Sequence, residues 1–354
     1  MPPSAPRRLV ALALIAAAAV AAAGAGTTRS AAASSTSDFV ARTFGEPANP
    51  TIHRSLLTAL TWRGGPIVTS TGETVTVYVS DSLPTVTPEQ WAEFLVNLDH
   101  GPEISKVTVH IATLDEVQQI CGARALGCYG ENQLISIGDT TIDGTTPEEV
   151  VRHEYGHHIA FNRANTPWPA IDWGPKYWAT AVGVCGRVQK GSAFPGDESF
   201  HYDQNPGEAW AETYRILEER KAGILSSTWQ IVSQTFFPND ASLAAALRDV
   251  TQPWGASTAT TYRTRFTKKG KRVWLVHVQT SLDGNLSIRA SIPRGGLFDI
   301  AVLAPNKRTV MKHTVSSGGT ARMLVGVCGQ RSLYLRVTDR DGTAGRVSVT
   351  SSTP

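Results

Sequence analysis

Cysteine is scarce in this chain, and its placement excludes several kinds of site. The 354 residues include four cysteines, and none precedes Cys121. A lipid anchor on an N-terminal cysteine and a cysteine-switch propeptide are therefore not expected. Paired C-x₂-C spacing, which is typical of a cysteine zinc site, is also missing. In an exported chain we expect two disulfides, and of three formal pairings we favour Cys121–Cys128 with Cys185–Cys328, because the first pair closes a small loop.

Long apolar runs are also lacking. The run Leu9–Ala23 has 15 residues and is short for a membrane span. Arg7 and Arg8 precede it and small residues follow, so residues 1–33 are expected to be a bacterial-type export signal. An uncleaved N-terminal anchor is the alternative. The sequence thus predicts a secreted, extracellular protein with no stable membrane span.

Charge is small in total but unevenly distributed. Residues 34–259 hold 14 basic and 26 acidic residues, a net charge of −12. Residues 260–354 hold 16 basic and 4 acidic residues, a net charge of +12. Opposite charge can hold the two parts together, or the basic part can dock on an anionic cell-surface polymer. A basic domain without a specific ligand is the alternative. Nucleic acid is not expected as a partner, because few aromatic residues interleave the lysines and arginines.

The pentapeptide His153-Glu154-Tyr155-Gly156-His157 carries the chemistry of the chain. On a helix, the two histidines lie four positions apart and leave the same face, while Glu154 projects from the next flank. Two neutral imidazoles can then bind one Zn²⁺ while the carboxylate reaches a water on the metal. The upstream segment Thr146-Pro147-Glu148-Glu149 predicts the start of that helix with a capping box, and a helix of roughly 16 residues follows.

A catalytic zinc site needs a third protein ligand. The longer metzincin signature requires a glycine and a histidine where Ala160 and Arg163 stand, and no Gly-Thr-X-Asp stretch supplies an aspartate. A second helix is predicted from the start signals Asn205-Pro206. It carries Glu208 and Glu212, which are four positions apart and therefore share one face.

This combination resembles the gluzincins, zinc metallopeptidases with HExxH on one helix and a ligand glutamate on a later one. The resemblance implies that Glu208 is the third ligand and that Glu212 hydrogen-bonds His153. A ligand histidine usually donates its second N–H to a carboxylate, which agrees with that role. It also implies peptide-bond hydrolysis by a zinc-activated water, with Glu154 as general base. Exchanged roles for Glu208 and Glu212 are the alternative.

Two residues just before the second helix are candidates for stabilising the oxyanion. Peptide hydrolysis by this route needs a donor side chain beside the metal. Tyr202 and His201 are the nearest in sequence. The alternative for Tyr202 is a role in packing only, and the alternative for His201 is a solvated position on the surface. His158 points about 100° away from His157, so we expect it to support the site from behind or to lie on the surface.

The predicted fold is an α+β zincin-like catalytic domain over residues 34–259. Its upper lobe is a twisted sheet packed on the active-site helix, and its lower lobe is mainly α. Residues 34–70 are either a propeptide or an early segment of this lobe. Strands are predicted at Thr74–Ser80, Lys106–Ala112 and Gln133–Ile137, and helices at Pro88–Leu98 and Leu114–Cys121. The family resemblance implies that the last of these strands pairs with the substrate backbone along the cleft.

Residues 260–354 are predicted to form a small all-β sandwich. Six short strands alternate with glycine, proline and aspartate turns, at Arg272–Thr280, Asn285–Ile292, Phe298–Ala304, Arg322–Val327, Ser332–Thr338 and Gly345–Thr350. The stretches Leu282–Pro293, Leu297–Leu303 and Leu333–Thr350 resemble the bacterial pre-peptidase C-terminal domain. That resemblance implies an accessory module of a secreted peptidase.

The sequence therefore favours a secreted zinc metallopeptidase that acts as an endopeptidase on peptide or protein substrates. A non-catalytic cell-surface binding protein on a zincin scaffold is one alternative, and a zinc amidase acting on cell-wall peptides is another. Glu154 favours catalysis, because a degenerate scaffold usually loses the general base or a ligand.

Overall fold

The computed structural model of the chain describes residues 52–198, 200–224 and 232–354. The predicted export signal, residues 1–33, lies outside the described residues, and so does the segment 34–51.

The first part of the fold is a five-stranded sheet with three helices. The sheet has the order β1-β2-β3-β5-β4. Strands β2, β3 and β5 are parallel to one another, while β1 and β4 are antiparallel additions at the two edges. The elements are α1 (Arg54–Ala59), β1 (Trp62–Val68), β2 (Thr74–Ser80), α2 (Pro88–Val96), a 3₁₀ turn (Pro102–Lys106), β3 (Thr108–Ala112), α3 (Leu114–Cys121), β4 (Gly127–Gly130) and β5 (Gln133–Ile137).

The sheet has two different faces because side chains alternate along each strand. Val77 and Val79 of β2 point into the main core, together with Val109 of β3. Tyr78 lies between Val77 and Val79, and His110 lies between Val109 and Ile111, so both rings occupy the opposite face. Residues 62–68 belong to the segment 34–70, which was expected to be either a propeptide or an early part of the lobe. They form a full strand of this sheet.

The strand predicted to line the cleft is not at the edge of the sheet. Strand β5 lies between β3 and β4, so the implication that it pairs with a substrate was wrong. The edge beside β5 is the four-residue β4, which no sequence pattern predicted. Glu131 and Asn132 have positive φ angles of 49° and 66°, as type I′ hairpin turns require, and this tight turn folds β4 outside β5.

Helices dominate the next part of the chain. They are α4 (Pro147–Phe161), α5 (Ala170–Trp173), α6 (Lys176–Ala181), α7 (Val184–Gln189), α8 (Pro206–Lys221) and α9 (Asp240–Thr251), with short strands β6 (Ala164–Asn165) and β7 (Trp168–Pro169) and 3₁₀ turns at Tyr202–Gln204 and Gln234–Phe236. Helix α4 begins at the expected capping box, in which the Glu149 N–H donates to the Thr146 hydroxyl at 3.2 Å. One hydrophobic core joins the sheet to α4 and α8.

The last part of the chain is an antiparallel β-sandwich with its own core. Its two sheets have the orders β13-β10-β15-β8 and β12-β11-β14-β9. All six predicted strands are present, while β8 and β12 were not predicted. Both are edge strands with mostly exposed residues, so they lack the alternation that marks a strand. The strands are β8 (Thr258–Phe266), β9 (Val273–Thr280), β10 (Gly284–Ile292), β11 (Phe298–Leu303), β12 (Val310–Ser316), β13 (Gly319–Val327), β14 (Arg331–Asp339) and β15 (Gly345–Thr353).

Two disulfides form with the favoured pairing. Cys121–Cys128 ties α3 to β4, and Cys185–Cys328 ties α7 to the end of β13. The second bridge therefore joins the helical part of the chain to the sandwich covalently. Among the described residues, no helix combines the length and the apolar character that a membrane crossing needs.

Candidate metal centre

Helices α4 and α8 approach each other closely, and this contact builds the site. Gly156 of α4 lies against the backbone of α8, where an added Cβ would be 2.9 Å from Ala211 Cα. The Trp210 indole N–H of α8 donates to the Gly156 carbonyl at 2.7 Å. The glycine inside the pentapeptide thus lets the two ligand-bearing helices meet.

Three donor side chains from these helices converge. The ligand atoms of His153, His157 and Glu208 all lie within 4.8 Å of one another. The Nε2 atoms of the two histidines are 3.2 Å apart, and the Glu208 carboxylate lies 3.2 Å from His153 and 3.4 Å from His157. All three are buried. Two imidazole nitrogens and one carboxylate form the donor set of many catalytic zinc sites, so the residues fit a metal ion.

A buried carboxylate orients the first histidine. His153 Nδ1 lies 3.1 Å from Glu212 Oε1, which leaves Nε2 to face the other donors. Burial opposes the ionisation of Glu212, but the charge of Arg215 and hydrogen bonds from His153 and Arg215 lower its pKa to about 2. Glu212 is therefore a charged acceptor that fixes the His153 ring.

Arg215 completes this support and was not singled out from the sequence. Its Nε and Nη2 donate to the two Glu212 oxygens at 2.9 Å and 2.8 Å, and it also contacts Glu219. A further ion pair at 3.7 Å reaches Glu149, in the capping box of α4. The spacing of Glu212, Arg215 and Glu219 on one helix face was the available signal.

Glu154 lies beside the three donors in a narrow space. Its side chain is 1% exposed, and its Oε1 has no hydrogen-bond partner in the described part of the chain. Burial raises the pKa of this carboxyl to about 7, although His153 and His157 act in the opposite direction. Gly127 of β4 faces it, and a Cβ there would lie 3.0 Å from Oε1. The free oxygen is thus held between α4 and the edge strand.

The two candidate oxyanion donors lie in different surroundings. Tyr202 is buried, and its hydroxyl donates to Glu208 Oε2 at 2.7 Å. His201 pairs with Asp197 at 2.7 Å and stacks on Phe194 at 3.7 Å. Within the described ranges, no contact joins His201 to the three donors. The structure therefore brings Tyr202, and not His201, to the centre.

His158 supports the helix from its other side. The ring is buried, with Nε2 at 2.8 Å from the Glu103 carbonyl and Nδ1 at 3.1 Å from the Tyr129 hydroxyl. Burial lowers the pKa of His158 to about 4, so the ring is neutral. It ties α4 to the 3₁₀ turn at Pro102–Lys106 and to β4, and takes no part in the donor set.

Comparison with known proteins does not assign a family. No protein-family profile and no curated protein matches the chain. Among solved structures, the pre-peptidase C-terminal domain of a Bacillus anthracis collagenase matches at 13% identity and TM-score 0.23, over 25% of this chain and 85% of that one. A Yersinia pseudotuberculosis-derived mitogen matches at 9% identity and TM-score 0.21, over 28% of this chain and 87% of that one. The Aeromonas hydrophila lysozyme inhibitor PliG matches at 13% identity and TM-score 0.20, over 28% of this chain and 87% of that one. These likenesses are partial and weak.

Proposed function

We propose that this chain is a secreted zinc-dependent metallopeptidase of the gluzincin type. One observation carries the proposal. The donor atoms of His153, His157 and Glu208 converge within 4.8 Å, and Glu154 of α4 offers a buried carboxylate oxygen that has no hydrogen-bond partner among the described residues. Ligands and base are thus assembled on two tightly packed helices, α4 and α8. The two disulfides support export to an oxidising compartment.

His153, His157 and Glu208 would hold the zinc ion. When bound, the ion supplies Lewis-acid chemistry, which polarises a peptide carbonyl and lowers the pKa of a water molecule. Glu154 takes the proton of the attacking water and returns it to the leaving amine. Tyr202, whose hydroxyl is 2.7 Å from Glu208, is the candidate donor to the developing oxyanion.

The edge strand β4 is the proposed docking strand for the substrate backbone. An extended peptide can add to an exposed sheet edge through main-chain hydrogen bonds. Gly127 begins β4 and faces the Glu154 carboxylate, so a peptide paired along this edge would pass the general base. This favours cleavage within an extended chain, as an endopeptidase requires.

The substitution Glu154→Gln tests the proposal. We expect wild type and variant to bind zinc in equimolar amount, while cleavage of a peptide library falls about 10²–10⁴-fold in the variant, because the base is lost and the ligands are kept. Metal content by mass spectrometry and product release by chromatography measure the two effects. Glu148→Gln, an exposed change on the same helix, is the matched control.

Three outcomes would contradict parts of the proposal. Cleavage that survives in Glu154→Gln would remove Glu154 as the base. Failure of the wild type to bind zinc would remove the ligand set. Zinc binding by both the wild type and the variant, with cleavage by neither, would favour the non-catalytic binding protein.

A further inference from the structure

The outer face of the five-stranded sheet carries a group of aromatic rings. Tyr78 of β2 and His110 of β3 are paired in register and their rings are stacked, with centroids 5.3 Å apart. Trp62 of β1 meets the His110 ring edge-on at 4.9 Å. Tyr78 and Trp62 are only half-buried, so parts of both rings are open to solvent. A second hydrophobic cluster, which includes Ile135 of β5, covers part of this face, and Trp62 packs against it. The rings thus lie at the border between a buried region and solvent.

An open cavity of about 620 Å³ lies over these rings. This volume falls in the range of about 300–1,000 Å³ that small-molecule sites occupy. Its lining includes Arg54, Trp62, Tyr78, His110, Glu131 and Gln133. The cavity lining includes neither Glu154 nor any of the three donors, so the cavity is separate from the metal centre.

His110 is a buried polar group beneath these rings. The residue is 8% exposed, and its Nδ1 is buried without a hydrogen-bond partner among residues 52–198, 200–224 and 232–354. Burial also lowers the pKa of His110 to about 4, so the imidazole is neutral and adds no charge to the cavity lining.

The lining charges select a neutral ligand. Arg54 and Glu131 neutralise each other in an ion pair at the rim. The remaining polar groups, among them Thr108 and Gln133, can both donate and accept hydrogen bonds. A sugar ring has an apolar C–H face and a rim of hydroxyl groups. These two surfaces match aromatic faces surrounded by neutral polar side chains.

We propose that this cavity binds a neutral saccharide. One sugar ring lies against the exposed aromatic surface of Trp62 and Tyr78, whose rings pack on the buried His110. Gln133 contacts further hydroxyls. The site would hold the protein on a glycan while the metal centre, which is lined by other residues, acts on its substrate.

Calorimetric titration with neutral oligosaccharides of glucose, mannose, xylose and N-acetylglucosamine tests this proposal. We expect at least one series to bind the full chain, and Trp62→Leu and Gln133→Ala each to weaken that binding at least tenfold. Zinc content should be unchanged in both variants. Trp274→Leu, which alters a half-buried tryptophan of the sandwich, is the matched control and should bind like wild type. Gln133→Ala changes a half-buried side chain, so it tests the site even where Trp62→Leu lowers stability.

Several results would overturn the assignment. The assignment fails if the protein binds none of the four oligosaccharide series. Binding that is lost in Trp274→Leu but kept in Trp62→Leu and Gln133→Ala would locate the glycan site in the sandwich. Binding of inorganic phosphate in competition with the sugar would show that the cavity selects anions.

Discussion

At the scale of single residues, the centre depends on a buried chain of charges behind the ligands. Arg215 holds both oxygens of Glu212, and Glu212 holds His153. Buried ion pairs often add little net stability, because both charges lose their hydration. Their geometry is nevertheless specific, since a bidentate guanidinium fixes the plane of a carboxylate. We infer that Arg215 orients His153, one of the proposed zinc ligands.

The substitution Arg215→Met tests this role. It approximates the length of the side chain but leaves the buried Glu212 carboxylate without the guanidinium that bonds both of its oxygens. We expect zinc affinity to fall about 10–100-fold, as for other groups that support metal ligands. Unfolding free energy should fall by about 3–5 kcal/mol, because a buried charge becomes unpaired. Chelator competition and urea denaturation measure the two effects.

Arg220→Met is the control for that substitution, since Arg220 is exposed on the same helix. It should leave both quantities within error of wild type. An Arg215→Met protein that binds zinc like wild type would show that Glu212 needs no support.

At the scale of elements, the approach of α4 and α8 sets the distances between the ligands. Gly156→Ala tests this contact. Alanine favours an isolated helix by about 1 kcal/mol over glycine. Here the new Cβ would lie 2.9 Å from Ala211 Cα. This is a backbone atom, so it cannot move aside as a flexible side chain could. We expect a net destabilisation of about 1–3 kcal/mol from overpacking, with weaker zinc binding because the helices separate.

Gly186→Ala in α7 is the matched control. A Cβ added there meets nothing within 4 Å, so this change should stabilise the protein by about 0.4–1 kcal/mol. Equal effects of the two substitutions in thermal unfolding would mean that the contact between α4 and α8 is not tight.

The elements also show what a sequence can predict. Helix α4 and its capping box were predicted correctly, because caps depend on residues within one turn. Four-residue spacing placed His153 beside His157 for the same reason. Strand β4 was missed, since its position depends on a turn at Glu131 and on pairing with β5. The contact of Tyr202 with Glu208 was also beyond prediction, because a turn before α8 folds the ring back over that helix.

At the scale of the whole molecule, opposite net charges do not join the helical part and the sandwich through close ion pairs. In the described ranges, no Lys, Arg or His nitrogen of one part lies within 4.0 Å of a carboxylate of the other. The Cys185–Cys328 bridge and Lys176 make the junction instead. The basic charge of residues 260–354 therefore stays available, and docking on an anionic polymer remains a prediction.

Lys176 is an unusual junction residue. Its side chain is wholly buried, and Nζ donates to the Thr166 carbonyl at 2.7 Å and to the Asp283 carbonyl of the sandwich at 2.9 Å. Burial lowers its pKa from 10.5 to about 8, although the charges of Asp283 and Asp249 act against this shift. The ammonium group is thus less stable here than in the unfolded chain.

This shift predicts how stability depends on pH. Between pH 8 and 10.5 the unfolded chain keeps a proton that folded Lys176 has lost, so the unfolding free energy contributed by this residue rises with pH. Below pH 8 both states are protonated and the contribution is constant. We therefore expect wild type to gain stability relative to Lys176→Met from pH 8 to pH 10 in urea titrations. Lys190→Met, an exposed change, should show no such trend. A difference between wild type and Lys176→Met that stays flat or falls over this window would mean that the buried ammonium keeps its proton, held by the two carbonyls.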